Sequence, residues 1–405
     1  MRALRNLLDR IGPSFGPGQR FAKLHALYEA TDTFLYTPSY TTSGGPHVRD
    51  AMDQKRMMAM VVVALVPCML MAMFNTGYQA FSWVEQGGQL LNTWQADLYR
   101  ALALPVSTAS WFGCMIFGAL HFLPILVLTF VVGGSIESLF AVIRGHEINE
   151  GFLVTGMLIP LVLPATIPLW QVALGTAFGV IIGKEIFGGT GMNFLNPALV
   201  ARAFLFFAYP AQISGNVWVA ATPADGRSGA TWLSSYAEGA GHLPGLTFTD
   251  AFIGLIPGSM GETSVVAVLL GAVVLLVTRI GAWQTMLGVL VGTALTAIGL
   301  TAIGSTTNPM LNLPWYWHFV LGGWAFGTVF MATDPVSSAF TSTGKLVYGF
   351  LIGLLCVLIR CVNPAYPEGM MLAILFMNMF APLIDHAVVR ANIKRRAARY
   401  VRSST

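Results

Sequence analysis

From residue 57 onward the chain alternates long apolar runs with short polar stretches. Ten runs stand out: 57–74, 114–133, 152–170, 172–187, 197–210, 263–280, 284–304, 316–333, 346–363 and 369–389. Each approaches the roughly 20 residues that a helix needs to cross the hydrocarbon core of a bilayer, the fourth and fifth being short. The runs are continuous rather than alternating, which disfavours barrel strands. The pattern predicts an all-α polytopic membrane protein with about ten transmembrane helices. Two longer polar stretches, 75–113 and 211–262, interrupt it, and the second leaves five runs on either side. Because five is odd, the halves are expected to have inverted topology. The third run of each half also looks broken, one as GMLIPLVLPATIP with Pro160, Pro164 and Pro168, the other as LGGWAFGTVFMATDP with Gly322, Gly323 and Pro335. Backbone groups freed by such breaks must line a cavity or find protein partners.

The expected organisation is an N-terminal arm (1–56), a first membrane half (57–210), an outer loop (211–262), a second half (263–390) and a basic tail (391–405). In the arm, FAKLHALYEATDTFLY sets Phe21, Leu24, Leu27, Tyr28, Thr31, Phe34 and Leu35 close to helical spacing. That spacing predicts an amphipathic helix lying on the membrane or docking a partner subunit. The first twenty residues are polar, so no signal peptide is expected.

Composition removes the soluble alternatives. Of 405 residues 55% are apolar and only 10% charged, against about 25% charged in soluble domains. A globule built this way would expose a large apolar surface; a cytosolic enzyme, a disordered chain and a nucleic-acid binder are excluded. The net charge of +4 matters through its placement. With an even number of spans, the arm, the tail together with Arg390, Arg144, Lys184, Arg279 and Lys345 share one side. Of the 22 Lys and Arg, only Arg100, Arg227 and Arg360 then face the other side, with Arg202 inside a span. The positive-inside rule places both termini in the cytoplasm. Cys68, Cys114, Cys356 and Cys361 lie in apolar runs without a C-x-x-C pair, which reads as small buried residues; a thiolate metal centre would have to be shared with another chain.

Ionisable residues at membrane depth are costly and are functional candidates. Here they are Glu137, Lys184, Glu185, Arg202, Asp334 and Asp385. Lys184 and Glu185 can simply snorkel at a span end. Asp334 precedes Pro335, where freed carbonyls can join it around a cation, or where it serves as a cap or turn residue. The stretch GKEIFGGTGMNFLNPALVARAF combines Gly188, Gly189 and Gly191 with the amides of Asn193 and Asn196; it suits a planar polar ligand, or a tight turn between spans. In the outer loop, DGRSGATWLSS offers an exposed Thr231 to a modifying enzyme, with Trp232 beside it to stack on a flat ring. His121 and His318, the histidines near membrane depth, both lie toward the outer side, so facing haem ligands are not expected.

Asp225-Gly226-Arg227-Ser228-Gly229-Ala230-Thr231 resembles the flavinylation motif of membrane flavoproteins, whose final threonine carries FMN through a phosphoester. Together with LYEATDTFLYTPS, HVRDAMDQKRMM, GGTGMNFLNPA and NIKRRAAR, it makes essentially the whole chain similar to the B subunits of sodium-translocating NADH:quinone oxidoreductases. The related D subunits of Rnf complexes share the flavinylation motif and the NPA turn but lack the long arm. The resemblance implies a translocase subunit of the bacterial inner membrane, with covalent FMN on Thr231 attached by a flavin transferase, and Asp225, Ser228, Gly229 and Ala230 completing the motif. It implies a non-covalent riboflavin, for which Asn193 and Asn196 are the candidates. It further implies ubiquinone near Gly133 and Gly134 in FVVGGSIESLF, and sodium passage by way of Glu137, Asp334 and Asp385. The implied partners are an NADH-oxidising flavin and iron–sulfur subunit and a second FMN-bearing subunit. The chain has no dinucleotide fingerprint of its own, so NADH oxidation is expected elsewhere. The rival reading is a secondary transporter with no redox role, which inverted halves and broken helices also fit.

Overall fold

The structure is a computed structural model describing residues 2–16, 54–145, 151–222, 229–240, 245–363 and 366–404, with isolated positions between 18 and 36. The amphipathic helix expected over 21–36 falls mostly outside the described residues, as do Asp225 and Ser228 of the loop motif.

Every apolar run acquires helix. The membrane helices are α1 (Gln54–Glu85), α2 (Trp111–Arg144), α3 (Gly151–Leu161), α4 (Leu169–Gly183), α5 (Pro197–Ala208), α6 (Val265–Val277), α7 (Trp283–Ile303), α8 (Trp324–Phe326, running into a wide π turn over Gly327–Met331), α9 (Ser342–Val362) and α10 (Met370–Ser404). Six of them (α1, α2, α4, α7, α9 and α10) are long and apolar enough to cross a membrane, while α3, α5 and α6 are shorter apolar helices. The protein is an all-α polytopic membrane protein. Among the described residues its only sheet is a two-stranded tie in which β1 (Gln89–Leu90) pairs antiparallel with β2 (Ala221–Thr222).

Boundaries follow local chemistry. Ser110, Asn196, Ser264 and Thr341 cap the starts of α2, α5, α6 and α9 with side-chain oxygens, and Pro197 takes the first position of α5, where its missing N–H costs nothing. The expected third span over 152–170 is instead a half-length helix ending at Leu161. Pro164 and Pro168 lack N–H donors and push the residues before them out of helical geometry. The freed carbonyls find partners in the segment before α6, with Gly261 N–H donating to Leu161 O at 2.8 Å and Met260 N–H to Leu163 O at 3.1 Å. Conversely, α1 overruns its expected end at residue 74 and continues to Glu85. Its polar turns are satisfied inside the protein: Asn75 Nδ2 donates to Ile256 O (3.0 Å) and Thr263 Oγ1 (3.2 Å), and Gln79 donates back to Asn75. The basic tail is a direct extension of α10.

α1 packs on α2, α3 and α6, α4 packs on α2 and α5, and α9 packs between α7 and α10. The α7–α9 contact is the most extensive. A Cβ on Gly288 would lie 2.5 Å from Leu346 O and 2.9 Å from Phe350 N, so only glycine permits the approach, as at small-residue helix interfaces in membranes. Val127 and Val131 on α2, Leu269 and Val273 on α6, Leu295 on α7 and Leu383 on α10 point outward and exposed, the apolar sheath that a lipid solvent requires.

Candidate functional site

Thr231 caps the short helix Trp232–Ser235: its Oγ1 accepts from Ser234 N–H at 3.3 Å and donates its proton to Glu368 Oε1 at 2.8 Å. Sequence reasoning expects an exposed threonine, yet the residue is 8% exposed. The loop is drawn inward over the junction between α9 and α10, where Glu368 sits. Gly229 is needed on the way, since a Cβ there would stand 2.9 Å from Asn216 O and 3.2 Å from the Trp83 ring. Ala230 is buried beside it.

Two cavities meet at Thr231. One encloses ≈ 600 Å³, partly open to solvent, between Arg202, Phe206, Trp218, Tyr366 and Glu368. The other, ≈ 410 Å³, runs between Trp232, Ser259, Glu262, Gly322 and Gly323. Arg202 on α5 and Glu262 ahead of α6 form an ion pair at 2.7 Å that is almost fully buried; the Arg202 Nε is buried without a partner among the described residues. Burial pushes the Tyr366 phenol up to about 12, against the opposing field of Arg202, so it stays neutral. Phe206 stands edge-on to Tyr366, ring centroids 4.7 Å apart.

The break before α8 forms the roof. Gly322 and Gly323 adopt φ of 66° and 65°, a left-handed region that glycine enters at little cost. Arg360, fully buried on α9, satisfies carbonyls this break leaves over, Nη1 donating to His318 O (2.9 Å) and Nη2 to Leu321 O (2.8 Å), and its Nε donates to Glu368 O (2.9 Å) ahead of α10.

A third cavity of ≈ 670 Å³ lies among α1, α3 and the turns before α5 and after α8. Asn193, Asn196, Lys184, Thr190, Phe330 and Asp334 border it. The structure therefore brings together both asparagines and Asp334, although they come from different halves. Asn193 Nδ2 donates to Leu195 O at 2.9 Å, while Asn196 Oδ1 accepts from Ala198 N–H (3.0 Å) and Leu199 N–H (3.4 Å) at the start of α5. Asp334 accepts from Ser337 Oγ–H (2.7 Å) and Val336 N–H (3.2 Å), the geometry of a turn-forming carboxylate. The Thr190 hydroxyl is buried with no partner among the described residues. Lys184 does not snorkel. It turns inward and pairs with Glu137 on α2, while Arg144 donates to the Glu185 carbonyl at 2.6 Å and its carboxylate at 3.2 Å.

The other expected residues lie elsewhere. Asp385 accepts from Phe340 N–H (2.6 Å), Thr341 N–H (2.9 Å) and Thr341 Oγ1–H (2.6 Å), fastening α10 to the start of α9. Gly133 packs beneath the Phe152 ring, whereas a Cβ on Gly134 would meet only that ring's edge at 3.9 Å. Phe152 separates Gly133 from Lys184, whose Nζ sits 5.8 Å above the ring centroid, so the glycines border α3 rather than the cavity of Asn193. Glu262, Arg360, Tyr366 and Glu368 escape sequence reasoning. Glu262 reads as the last residue of a loop and Arg360 as an outer-face charge. The one available signal is that Glu262 immediately precedes an apolar run and is opposite in sign to Arg202.

A family model described as NQR2, RnfD, RnfE family matches residues 41–394. The chain belongs to this family. Similar proteins include the B subunit of the Na(+)-translocating NADH-quinone reductase of Chromohalobacter salexigens, 58% identical over 399 residues, covering 98% of this chain and 96% of that protein. The protein of the same name from Pseudomonas paraeruginosa is 56% identical over 405 residues, covering 98% and 99%. That from Klebsiella pneumoniae is 53% identical over 413 residues, also covering 98% and 99%. For this member of the NQR2, RnfD, RnfE family, the similarity takes in all three cavities.

Proposed function

We propose that this chain is the membrane subunit of a sodium-translocating NADH:quinone reductase, bearing FMN covalently on Thr231 and riboflavin in the cavity of Asn193 and Asn196. Similarity over nearly the full length to proteins of that name supports the complex. One observation carries the flavin reading: the Thr231 hydroxyl opens into a cavity walled by Trp218, Phe206 and Tyr366, with a carboxylate holding its proton. Aromatic walls suit a flat ring, and a phosphoester requires a hydroxyl oxygen. The cavity of Asn193 and Asn196 suits a flavin without phosphate, since amides and the Thr190 hydroxyl match the ring's polar edge.

When bound, such flavins supply the electron transfer that joins an NADH-oxidising partner subunit to ubiquinone. The chain's own residues hold and insulate. Glu368 orients the Thr231 hydroxyl, and Tyr366 with Trp218 excludes water. Asp334 offers the cavity a carboxylate suited to sodium, and Glu137 and Asp385 are the further acidic residues proposed along the cation route. Gly134 leaves the open surface proposed for the quinone ring, beside Gly133. Both termini face the cytoplasm in this reading, and the five-helix halves have inverted topology. A second FMN-bearing subunit and a flavin transferase complete the expected partners.

The test is fluorescence of the denatured polypeptide on a gel. Wild type and Ser235→Ala should glow and Thr231→Ala should stay dark; a fluorescent Thr231→Ala would move the covalent site elsewhere.

A further inference from the structure

The Arg202 guanidinium is under-used where it stands. It carries five N–H donors, yet the one hydrogen bond it makes among the described residues is Nη1 to Glu262 Oε1 at 2.7 Å, and its Nε is buried without an acceptor. The side chain is 4% exposed. A buried charged donor lacking an acceptor is costly, so this geometry is more than a bridge between α5 and the segment before α6. A plain bridge would offer Glu262 the two-nitrogen fork that arginine presents to carboxylates, whereas here a single nitrogen is engaged.

Arg202 borders the same cavity as Thr231. The other charged side chains described around that cavity, Glu238 and Glu368, are acidic. Any anion esterified to the Thr231 oxygen would meet two carboxylates, and among the described lining residues Arg202 is its one counter-charge. The planar edge of a guanidinium matches two oxygens of a phosphate, which a lysine cannot do.

We propose that Arg202 is the phosphate anchor of the flavin on Thr231, with Glu262 holding one nitrogen so that the remaining edge meets the two non-bridging oxygens of the phosphodiester. This rests on the reading that Thr231 carries FMN. Glu262 is then a positioning residue, acting on the cofactor only through Arg202.

Phosphorus NMR of the intact complex tests it, because the readout is the phosphodiester itself rather than turnover. In wild type the resonance that Thr231→Ala removes should be displaced from its position in the denatured polypeptide. The displacement should survive in Glu262→Gln, which keeps the guanidinium. It should collapse in Arg202→Gln/Glu262→Gln, where both charges are removed together and no lone buried ion remains. Should that pair not assemble, Arg202→Lys serves the same comparison: it retains the charge opposite Glu262 and loses the planar edge, so the displacement should again collapse. A displacement unchanged in these Arg202 variants, or absent from wild type, overturns the anchor and leaves the ion pair a structural bridge. Failure of the underlying reading is distinguishable, since Thr231→Ala would then still fluoresce on a denaturing gel.

Discussion

Thr231 has two partners within the chain before any cofactor is considered, capping a short helix and donating to Glu368. Thr231→Ser keeps the hydroxyl and both contacts, so gel fluorescence should persist, whereas Thr231→Ala should lose the flavin and also about 1 kcal/mol of cap stability. Asp334 and Asp385 separate by what surrounds them. Asp334 borders a cavity, and Asp334→Asn should raise the sodium concentration needed for quinone reduction while both flavins stay bound. Asp385 spends its oxygens on the start of α9, so Asp385→Asn should chiefly lower the melting temperature, by weakening charge-assisted hydrogen bonds worth about 1.5–3 kcal/mol each. Its sodium curve should shift less; equal shifts would sink the distinction. At this scale the sequence reveals polar residues that stand out against apolar neighbours, Asn193, Asn196 and Asp334 among them. It hides residues whose meaning lies in a distant partner, as with Arg202 and Glu262 at 60 residues' separation, or Thr231 and Glu368 at 137.

Between elements, the informative contrast is Gly133 against Gly134. A side chain at Gly133 would run into the Phe152 ring, and overpacking of this kind costs about 1–3 kcal/mol. Gly133→Ala should therefore lower the yield of assembled complex. Gly134→Ala should assemble normally and alter the apparent affinity for quinone; unchanged quinone kinetics in a well-assembled Gly134→Ala would displace that site. Helix count is readable from the apolar runs because backbone in lipid has no other way to pair its polar groups. Helix length is less readable, for two opposite reasons. The prolines of the third run announce a break but not that α3 stops at Leu161, while Asn75 and Gln79 let α1 continue past its apolar stretch because each finds a buried partner.

Over the whole molecule, orientation rests on where Lys and Arg fall. The four native cysteines are buried, so an introduced thiol should label over a low background. A membrane-impermeant maleimide should reach Ala101→Cys from outside intact cells, and Ala397→Cys only after permeabilisation. The reverse pattern would invert the assignment. Exposed Trp111, Trp170 and Trp283 sit at helix starts, where indoles favour the water–lipid boundary on either side; they mark the edges of the bilayer and leave its sidedness to the charges.

The small β1–β2 tie has a consequence for any cargo on Thr231. Pairing Gln89 with Thr222 and Leu90 with Ala221 pins the outer loop to the end of α1, only nine residues before the threonine in the sequence. The reach of a tether grows roughly as the square root of its free length, and the short helix Trp232–Ser235 that Thr231 starts holds it from the other side. Carriers on swinging arms trade precision for range, visiting several stations and relying on effective concentration to meet each one. A group mounted here would behave as a fixed post, and the distance an electron must cover to the next centre would be set by helix packing, leaving little to diffusion.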